Sequence, residues 1–150
     1  MREKETHDKT EVENLLDLAL TMAELKPGEK SKIMRSFRRF FSEPAFIDVD
    51  FVETAQLLRN GRLVRAALGR TRGIDKARQA AKLAASDIRI EEAKKLLLFV
   101  TGGGDLEIED TSRALDYIKA AADHNCEIIV SVKVDEGFNG EAELIILCIK

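Results

Sequence analysis

The first 62 residues place apolar side chains at steps of three and four, which is the spacing of one helix face. This pattern predicts helices at about 11–25, 30–41 and 51–60. Lys26-Pro27-Gly28 separates the first two, because proline and glycine end or break a helix. We expect residues 1–62 to form an N-terminal helical segment that acts with residues 63–150, an α/β domain, as one structural unit.

From residue 63 the pattern changes to short apolar runs that alternate with helical stretches. It predicts four strands, at residues 63–70, 96–101, 127–134 and 142–149, and two helices, at residues 74–86 and 107–122. Ile74 and Ile108 are expected on the inner faces of these helices. The order β-α-β-α-β-β predicts an α/β fold, an α+β two-layer sandwich with a four-stranded mixed sheet and two helices on one face.

The last two strands are expected to pair as a hairpin, because Asn139-Gly140 between them is a turn signal. The runs at residues 96–100 and 144–149 are apolar at successive positions, so they carry apolar side chains on both sides of the sheet. The second face should therefore be covered as well. Either the N-terminal helices or another copy of the chain would cover it.

Charge is unevenly distributed over the 150 residues, although the net charge is only −3. Residues 1–25 carry 3 basic and 7 acidic side chains, a net −4, and residues 26–82 carry 14 and 6, a net +8. Residues 83–150 carry 7 basic and 14 acidic side chains, a net −7. This asymmetry favours a charged partner or head-to-tail self-association, and solvated helix faces are the simpler alternative.

The composition of the chain argues against a membrane protein, a secreted protein and a zinc-binding protein. No apolar run approaches the roughly 18 residues that cross a bilayer, and the charged N-terminus does not resemble a signal peptide. We therefore expect a cytoplasmic protein with no membrane contact. Cys126 and Cys148 lack CxxC spacing and are interpreted as reduced core residues, and the two histidines form no zinc motif. No metal or cofactor is expected.

A basic stretch precedes the middle of the chain and consists of Arg59, Arg62, Arg65, Arg70, Arg72, Lys76 and Arg78. Such a cluster is able to contact phosphates, but only two aromatic residues, Phe46 and Phe51, lie near it for stacking on bases. Nucleic-acid binding is therefore disfavoured relative to a protein-binding or solvated face.

Gly102, Gly103 and Gly104 follow a predicted strand and precede a predicted helix, where backbone N–H groups are able to face an anion. The run does not end in Gly-Lys-Ser/Thr, so it is not a P-loop. We retain the three glycines as candidate ligand-binding residues, and a structural turn is the favoured alternative.

Asp50 and Glu53 have the spacing of a capping box, in which the two side chains accept hydrogen bonds from backbone N–H groups at the start of a helix. This local role is sufficient to explain both carboxylates. It is also compatible with a second role at an interface.

Four segments resemble, in the same order, parts of the C-terminal domain of the FtsZ/tubulin family. Residues 45–51 (AFIDVDF) are similar to the family's synergy loop, and residues 98–106 (LFVTGGGDL) to its strand-turn segment. The alanine-rich helix from residue 74 and the ending at residues 131–135 and 142–149 resemble the family's corresponding helix and closing hairpin. The resemblance extends over about residues 12–150, and it implies the same fold.

The resemblance also implies an assembly surface. Family synergy-loop carboxylates are inserted against the nucleotide of the next subunit, and Asp50 and Glu53 stand at their positions, while Asp48 replaces an asparagine. Trans-activation of a partner GTPase by Asp50 and Glu53 is thereby implied, with Arg62 and Arg65 as further interface candidates. The family's GTP-binding signature does not precede residue 12, so the resemblance does not imply intrinsic GTP binding. An enzyme is not expected either, because no nucleophile–base pair or metal-ligand set is visible in the sequence.

Two functions of different classes follow. The first is an interaction or assembly module that associates with itself or docks on a tubulin-like GTPase. The alternative is a regulatory oligomer that binds a small molecule between subunits. A third possibility, that the chain is a piece of a longer GTPase, is weighed against its natural-looking start at Met1-Arg2-Glu3.

Overall fold

The computed structural model describes residues 2–23, 25–42, 51–86 and 88–150. Its N-terminal part contains α1 (Arg2–Met22), α2 (Glu29–Phe41) and α3 (Phe51–Asn60). Helix α1 begins well before the predicted residue 11, whereas α2 and α3 lie within one residue of the predicted bounds. Gly28 precedes α2 with φ 84°, a backbone conformation that glycine adopts without strain.

The remaining elements follow in the predicted order. They are β1 (Leu63–Arg72), α4 (Lys76–Ala85), β2 (Lys95–Gly102), α5 (Ile108–Ala121), β3 (Glu127–Val134) and β4 (Glu141–Ile149). Short 3₁₀ turns occupy Ile90–Glu92 and Glu136–Phe138. The α/β class, with one mixed four-stranded sheet, is thus confirmed.

The sheet order is β1-β4-β2-β3. Strands β2 and β3 are parallel, as expected for a pair joined by a crossover helix, and β4 is antiparallel to both β1 and β2. The predicted hairpin between the last two strands is therefore wrong, because β2 lies between them. Residues 142–149 of β4 are all buried, which suits a central strand.

Helices α4 and α5 cover one face of the sheet, as predicted. Apart from Lys76, the buried residues of α4 are four alanines, Ala77, Ala80, Ala81 and Ala84. Gly69 of β1 lies directly beneath them, since a Cβ at this position would collide with the carbonyl oxygen of Ala80 and lie 2.8 Å from the nitrogen of Ala84. The helix backbone thus approaches the sheet unusually closely.

Two residues expected on this inner face are exposed instead. Ile74 is 98% exposed because it belongs to the turn before α4, where Gly73 and Asp75 have positive φ, and the helix begins only at Lys76. Ile108 is 68% exposed because it is the first residue of α5 and lines an open groove. For Ile74 the helical spacing was extended past the helix start, whereas Ile108 belongs to α5 but occupies its exposed first turn.

The N-terminal helices cover the second face of the sheet. Phe37 and Phe40 of α2 pack edge-to-face on Phe99 of β2, with ring centroids 4.5 and 5.4 Å apart. Leu16 and Leu20 of α1 are buried in the same cluster. This arrangement answers the question left open by the sequence, because the chain covers both faces itself.

Candidate functional site

The predicted acidic loop lies between α2 and α3. Asp48 and Asp50 fall in residues 43–50, which lie outside the described part of the chain. Glu53 is exposed on the first turn of α3. The two flanks of the loop are held together, because the rings of Phe41 and Phe51 pack edge-to-face with centroids 5.2 Å apart.

The end of α2 is anchored to the sheet through Arg39. Its Nε donates to Oδ2 of Asp135 at 2.7 Å, and its Nη2 donates to Oδ1 at 3.2 Å. Lys133, which is fully buried, donates from Nζ to the carbonyl oxygen of Arg39. The end of α2, which directly precedes residues 43–50, is therefore fixed by Lys133 of β3 and by Asp135, which directly follows β3.

The contact between Arg39 and Asp135 joins two opposite charges. The bidentate hydrogen bond from Arg39 lowers the pKa of Asp135, and the N–H of Gly137 contributes in the same direction. Nearby, burial raises the pKa of Glu143, although a hydrogen bond from Ser36 opposes that effect. Neither the pair Arg39–Asp135 nor the burial of Lys133 was found from the sequence, because both contacts join segments that lie 96 and 94 residues apart.

The first residues of α3 also face the start of the sheet. Glu53, Gln56 and Asn60 border a cavity of about 430 Å³ whose other side is formed by Lys94, Lys95 and Lys150. Lys95 lies 3.6 Å from Glu127, and Lys150 lies 4.0 Å from Glu92. The structure thus brings Glu53 near three lysines that sequence reasoning did not associate with it.

Arg62 directly precedes β1, and Arg65 lies near the start of the strand. Arg62 is exposed, and its backbone exchanges hydrogen bonds of 3.0 and 2.9 Å with Lys150. Arg65 is half-buried and donates from Nη1 to the carbonyl oxygen of Val64 at 2.9 Å. Arg62 therefore lies at the same end of the sheet as the lysine-lined cavity, because its backbone is bonded to a residue of that cavity.

The glycine run lies at the opposite end of the sheet, about 23 Å along β2 from Lys95 at the usual rise per residue. Gly104 donates its N–H to Oδ1 of Asn139 at 3.3 Å. A Cβ at Gly103 would lie 2.6 Å from the Cα of Asn139, so only glycine allows the two backbone segments to come this close. These three glycines are therefore remote from Glu53 and its neighbouring lysines. The Arg39–Asp135 anchor at the end of α2 lies at the glycine end instead, because the N–H of Asp135 donates to the carbonyl oxygen of Gly102 at 2.8 Å.

Asp105 places a carboxylate beside the same turn. It accepts a hydrogen bond from the buried Lys76 at 3.0 Å and another from the N–H of Gly140 at 3.2 Å. The hydrogen bond from Lys76, followed by that from Gly140, lowers the pKa of Asp105. Anion binding by Gly102, Gly103 and Gly104 stays a prediction, and any anion there would meet this fixed negative charge.

Residues 64–149 match the family model described as the FtsZ family, C-terminal domain. The match covers more than half of the chain, and the chain is therefore a member of that family. Among the described helices, none is both long and apolar enough to span a membrane.

Named relatives agree with this assignment. The chain is 29% identical over 108 residues to cell division protein FtsZ 1 of Archaeoglobus fulgidus, a match that covers 69% of this chain and 29% of that protein. It is 27% identical over 116 residues to the mitochondrial division protein fszB of Dictyostelium discoideum, covering 74% of this chain and 32% of the relative. The chain thus matches about a third of the length of these relatives.

Solved structures share the fold. An empty FtsZ dimer of M. jannaschii superimposes with a TM-score of 0.67 at 19% identity, covering 89% of this chain and 43% of that one. CetZ2 from Haloferax volcanii, solved as a GTPγS-bound protofilament, gives a TM-score of 0.53 at 17% identity and covers 84% of this chain and 43% of that one. At these identities the likeness concerns the fold alone.

Proposed function

We propose that this chain is an assembly module that docks on a tubulin-like GTPase through residues 43–50 and the first turn of α3. The observation that carries the proposal is the family match over residues 64–149. The relatives are named as division proteins, and the solved CetZ2 structure is described as a protofilament, which supports assembly as the shared theme.

Residues 1–62 and 63–150 act as one unit in this proposal. The buried pair Lys133 and Asp135 holds the end of α2, and the contact between Phe41 and Phe51 holds the start of α3. Both flanks of the acidic loop are therefore fixed to one scaffold. A loop presented in this way loses less conformational entropy when it meets a partner.

The carboxylates of Asp50 and Glu53 would act in trans. A carboxylate is able to orient an attacking water by accepting its hydrogen bond, and water positioning is a main task in GTP hydrolysis. The module itself supplies no nucleotide pocket in this proposal. It would therefore occupy one end of a filament and limit further addition there.

The test is to add the purified chain to an FtsZ-type GTPase from the same organism. Sedimentation should show less polymer at a low ratio of chain to GTPase, and phosphate release should change. Asp50→Asn with Glu53→Gln should keep the effect on polymer but lose the effect on phosphate release. Glu109→Gln, an exposed carboxylate on α5, serves as the matched control. Unchanged sedimentation and unchanged GTP turnover would refute the proposal.

The lysine-lined cavity favours a second candidate, a regulatory oligomer that binds a small anion. Lys94, Lys95 and Lys150 surround about 430 Å³ of open space, and such clustered cations attract negatively charged ligands. Light scattering of the pure chain, with and without inorganic pyrophosphate, separates the two functions. A discrete oligomer that depends on the anion supports the second candidate, and a monomer indifferent to it supports docking.

A further inference from the structure

The exposed side of α2 carries a row of cations. Lys32, Arg35 and Arg38 are exposed and follow one another at steps of three residues, so their side chains are neighbours on the helix surface. The opposite side of α2 consists of apolar residues that are buried against the sheet. Glu29, in the first turn, is the one acidic residue of this helix. The row therefore contains positive charge alone.

These three cations lack carboxylate partners. In the described parts of the chain, no carboxylate lies within ion-pair distance of Lys32, Arg35 or Arg38. An exposed arginine on the other side of the sheet differs, since Arg113 pairs with Asp110 of its own helix at 2.7 Å. Like charges at helical spacing repel one another, and carboxylates supplied by a partner would relieve that repulsion.

The stability of the helix itself does not explain the row. Cations stabilise the last turn of a helix, because its carbonyl groups carry partial negative charge. Arg38 lies in the last turn of α2, whereas Lys32 and Arg35 lie nearer its middle. The positions of these two residues therefore call for another explanation, and recognition of an anionic partner supplies one.

A cleft of about 440 Å³ borders the row where α2 packs against α1. The residues that line it are Asp17, Lys30, Ser31, Met34, Arg35 and Arg38. Lys30 lies 2.6 Å from Asp17, so this carboxylate is already paired and leaves both arginines available. The cleft gives a side chain of a partner space directly beside the two arginines.

Nucleic acid fits the row poorly. The row from Lys32 to Arg38 is about 9 Å long at the usual helical rise, which is short for a surface that follows a phosphate backbone. Every described aromatic side chain is buried or half-buried, so bases would find no exposed ring for stacking.

A membrane surface fits the row poorly as well. The apolar side of α2 is already buried in the core, so it cannot enter a bilayer. The three unpaired cations are fewer than the clusters of about four to eight that bind anionic lipids. An acidic protein segment remains, because it needs neither stacking nor apolar insertion.

We propose that Lys32, Arg35, Arg38 and the cleft beside them form a binding site for an acidic segment of a partner protein. Arginine suits such a segment, because a guanidinium donates two parallel hydrogen bonds to one carboxylate. Each exposed contact contributes little by itself, so the site depends on all three cations. The inference does not rest on the proposed function, since neither residues 43–50 nor a GTPase takes part.

The probe is a fluorescein-labelled peptide in which glutamate alternates with alanine, compared with a version that has lysine in place of glutamate. Fluorescence anisotropy with the full chain should show saturable binding of the glutamate peptide, weakened by added salt. The lysine peptide should bind at least about tenfold more weakly. Amide chemical-shift changes should be largest along α2. Equal affinity of the two peptides, or shifts centred on the lysine-lined cavity, would overturn the proposal.

Two variants test the row itself. The triple variant Lys32→Gln, Arg35→Gln, Arg38→Gln removes its charge and should weaken the glutamate peptide by about tenfold. Arg35→Glu places a repelling charge beside the cleft and should also weaken that peptide. All these side chains are exposed, so amide spectra should show folded variants. Arg35→Glu alone decides the matter if the triple variant does not fold.

The matched control removes the same number of exposed cations outside α2, through Arg89→Gln, Arg113→Gln and Lys119→Gln. It should keep the wild-type affinity for the glutamate peptide. Wild-type affinity in the triple variant or in Arg35→Glu, or an equal loss in the control, would contradict the proposal. So would tighter binding of a single-stranded oligonucleotide or of anionic phospholipid vesicles that the triple variant loses, because it would assign the row to another partner.

Discussion

The two faces of the sheet are covered by helices of different character. Helix α4 meets one face with four buried alanines, whereas α2 meets the other with Phe37, Phe40 and Phe41 grouped around Phe99. On the alanine face, the backbones themselves are in contact distance. On the aromatic face, rings fill the wider space between helix and sheet. The alanine face should therefore be sensitive to added atoms, and the aromatic face to removed ones.

The largest effect is expected on the aromatic face. Phe37 is fully buried and touches both Phe41 and Phe99, so Phe37→Ala leaves a cavity among rings. We expect a loss of about 3–5 kcal/mol in the free energy of unfolding, measured by urea denaturation. Met22→Ala, at a residue that is 81% exposed, should change it by less than about 0.5 kcal/mol. A loss below about 1 kcal/mol for Phe37→Ala would contradict this view of the aromatic face.

The alanine face should respond to a single added methyl group. In Gly69→Ala the new Cβ would collide with backbone atoms of α4. Unlike a side chain, these atoms cannot avoid the collision by changing rotamer. The expected loss is about 1–3 kcal/mol in the same measurement. Gly104→Ala is the matched control, because no atom lies within 4 Å of its Cβ position. If both variants are equally stable, close backbone approach does not limit the alanine face.

A smaller effect is expected at the rim of the aromatic face, where Asp135 holds Arg39. The folded state lowers the pKa of Asp135, so the pair contributes stability above the unfolded pKa of about 3.9 and loses it as pH falls through the folded value. Since the Arg39 side chain is half-exposed, Asp135→Asn should cost about 1 kcal/mol at pH 7.

The pH dependence distinguishes this charge effect from lost packing. The stability difference between the wild type and Asp135→Asn should shrink below about pH 4, measured by thermal unfolding from pH 7 to 3. Asp17→Asn removes a more exposed ion pair with Lys30 and serves as the control. A difference that stays constant over this pH range would exclude the assigned role of the carboxylate.

The smallest effect concerns chemistry and not stability. Cys148 lies in the core beneath α4 and α5, and burial raises the pKa of its thiol to about 12, whereas Cys126 is only partly buried. Iodoacetamide should therefore label Cys126 well before Cys148, as followed by mass spectrometry. Simultaneous labelling would mean that the alanine face opens readily.

Local patterns predicted the elements of this fold, and they could not predict how the elements meet. Periodicity located α2 and β3 nearly to the residue, because it is a property of neighbouring side chains. The position of β4 between β1 and β2 depends on pairing between distant segments, and the hairpin signal at Asn139-Gly140 was misleading for that reason.

The candidate site was predictable to a lesser extent. The carboxylates Asp48 and Asp50 were identified from sequence, but they lie outside the described residues, and their role stays a prediction. Glu53 was also identified, whereas the lysines across the cavity from it come from two other parts of the chain. The burial of Lys133 was not predicted, because its hydrogen-bond partner, the carbonyl oxygen of Arg39, lies 94 residues away in sequence.

The placement of β4 has a consequence for how the chain is made. The fourth strand synthesised joins β1 to the β2–β3 pair, so before it emerges from the ribosome the two parts share no hydrogen-bonded ladder. Most of the sheet's contacts then span long sequence separations, which slows folding. Until β4 is available, the helices have only an incomplete sheet to pack against. During that interval the apolar strands are exposed, so a chaperone that binds apolar segments is able to bind them.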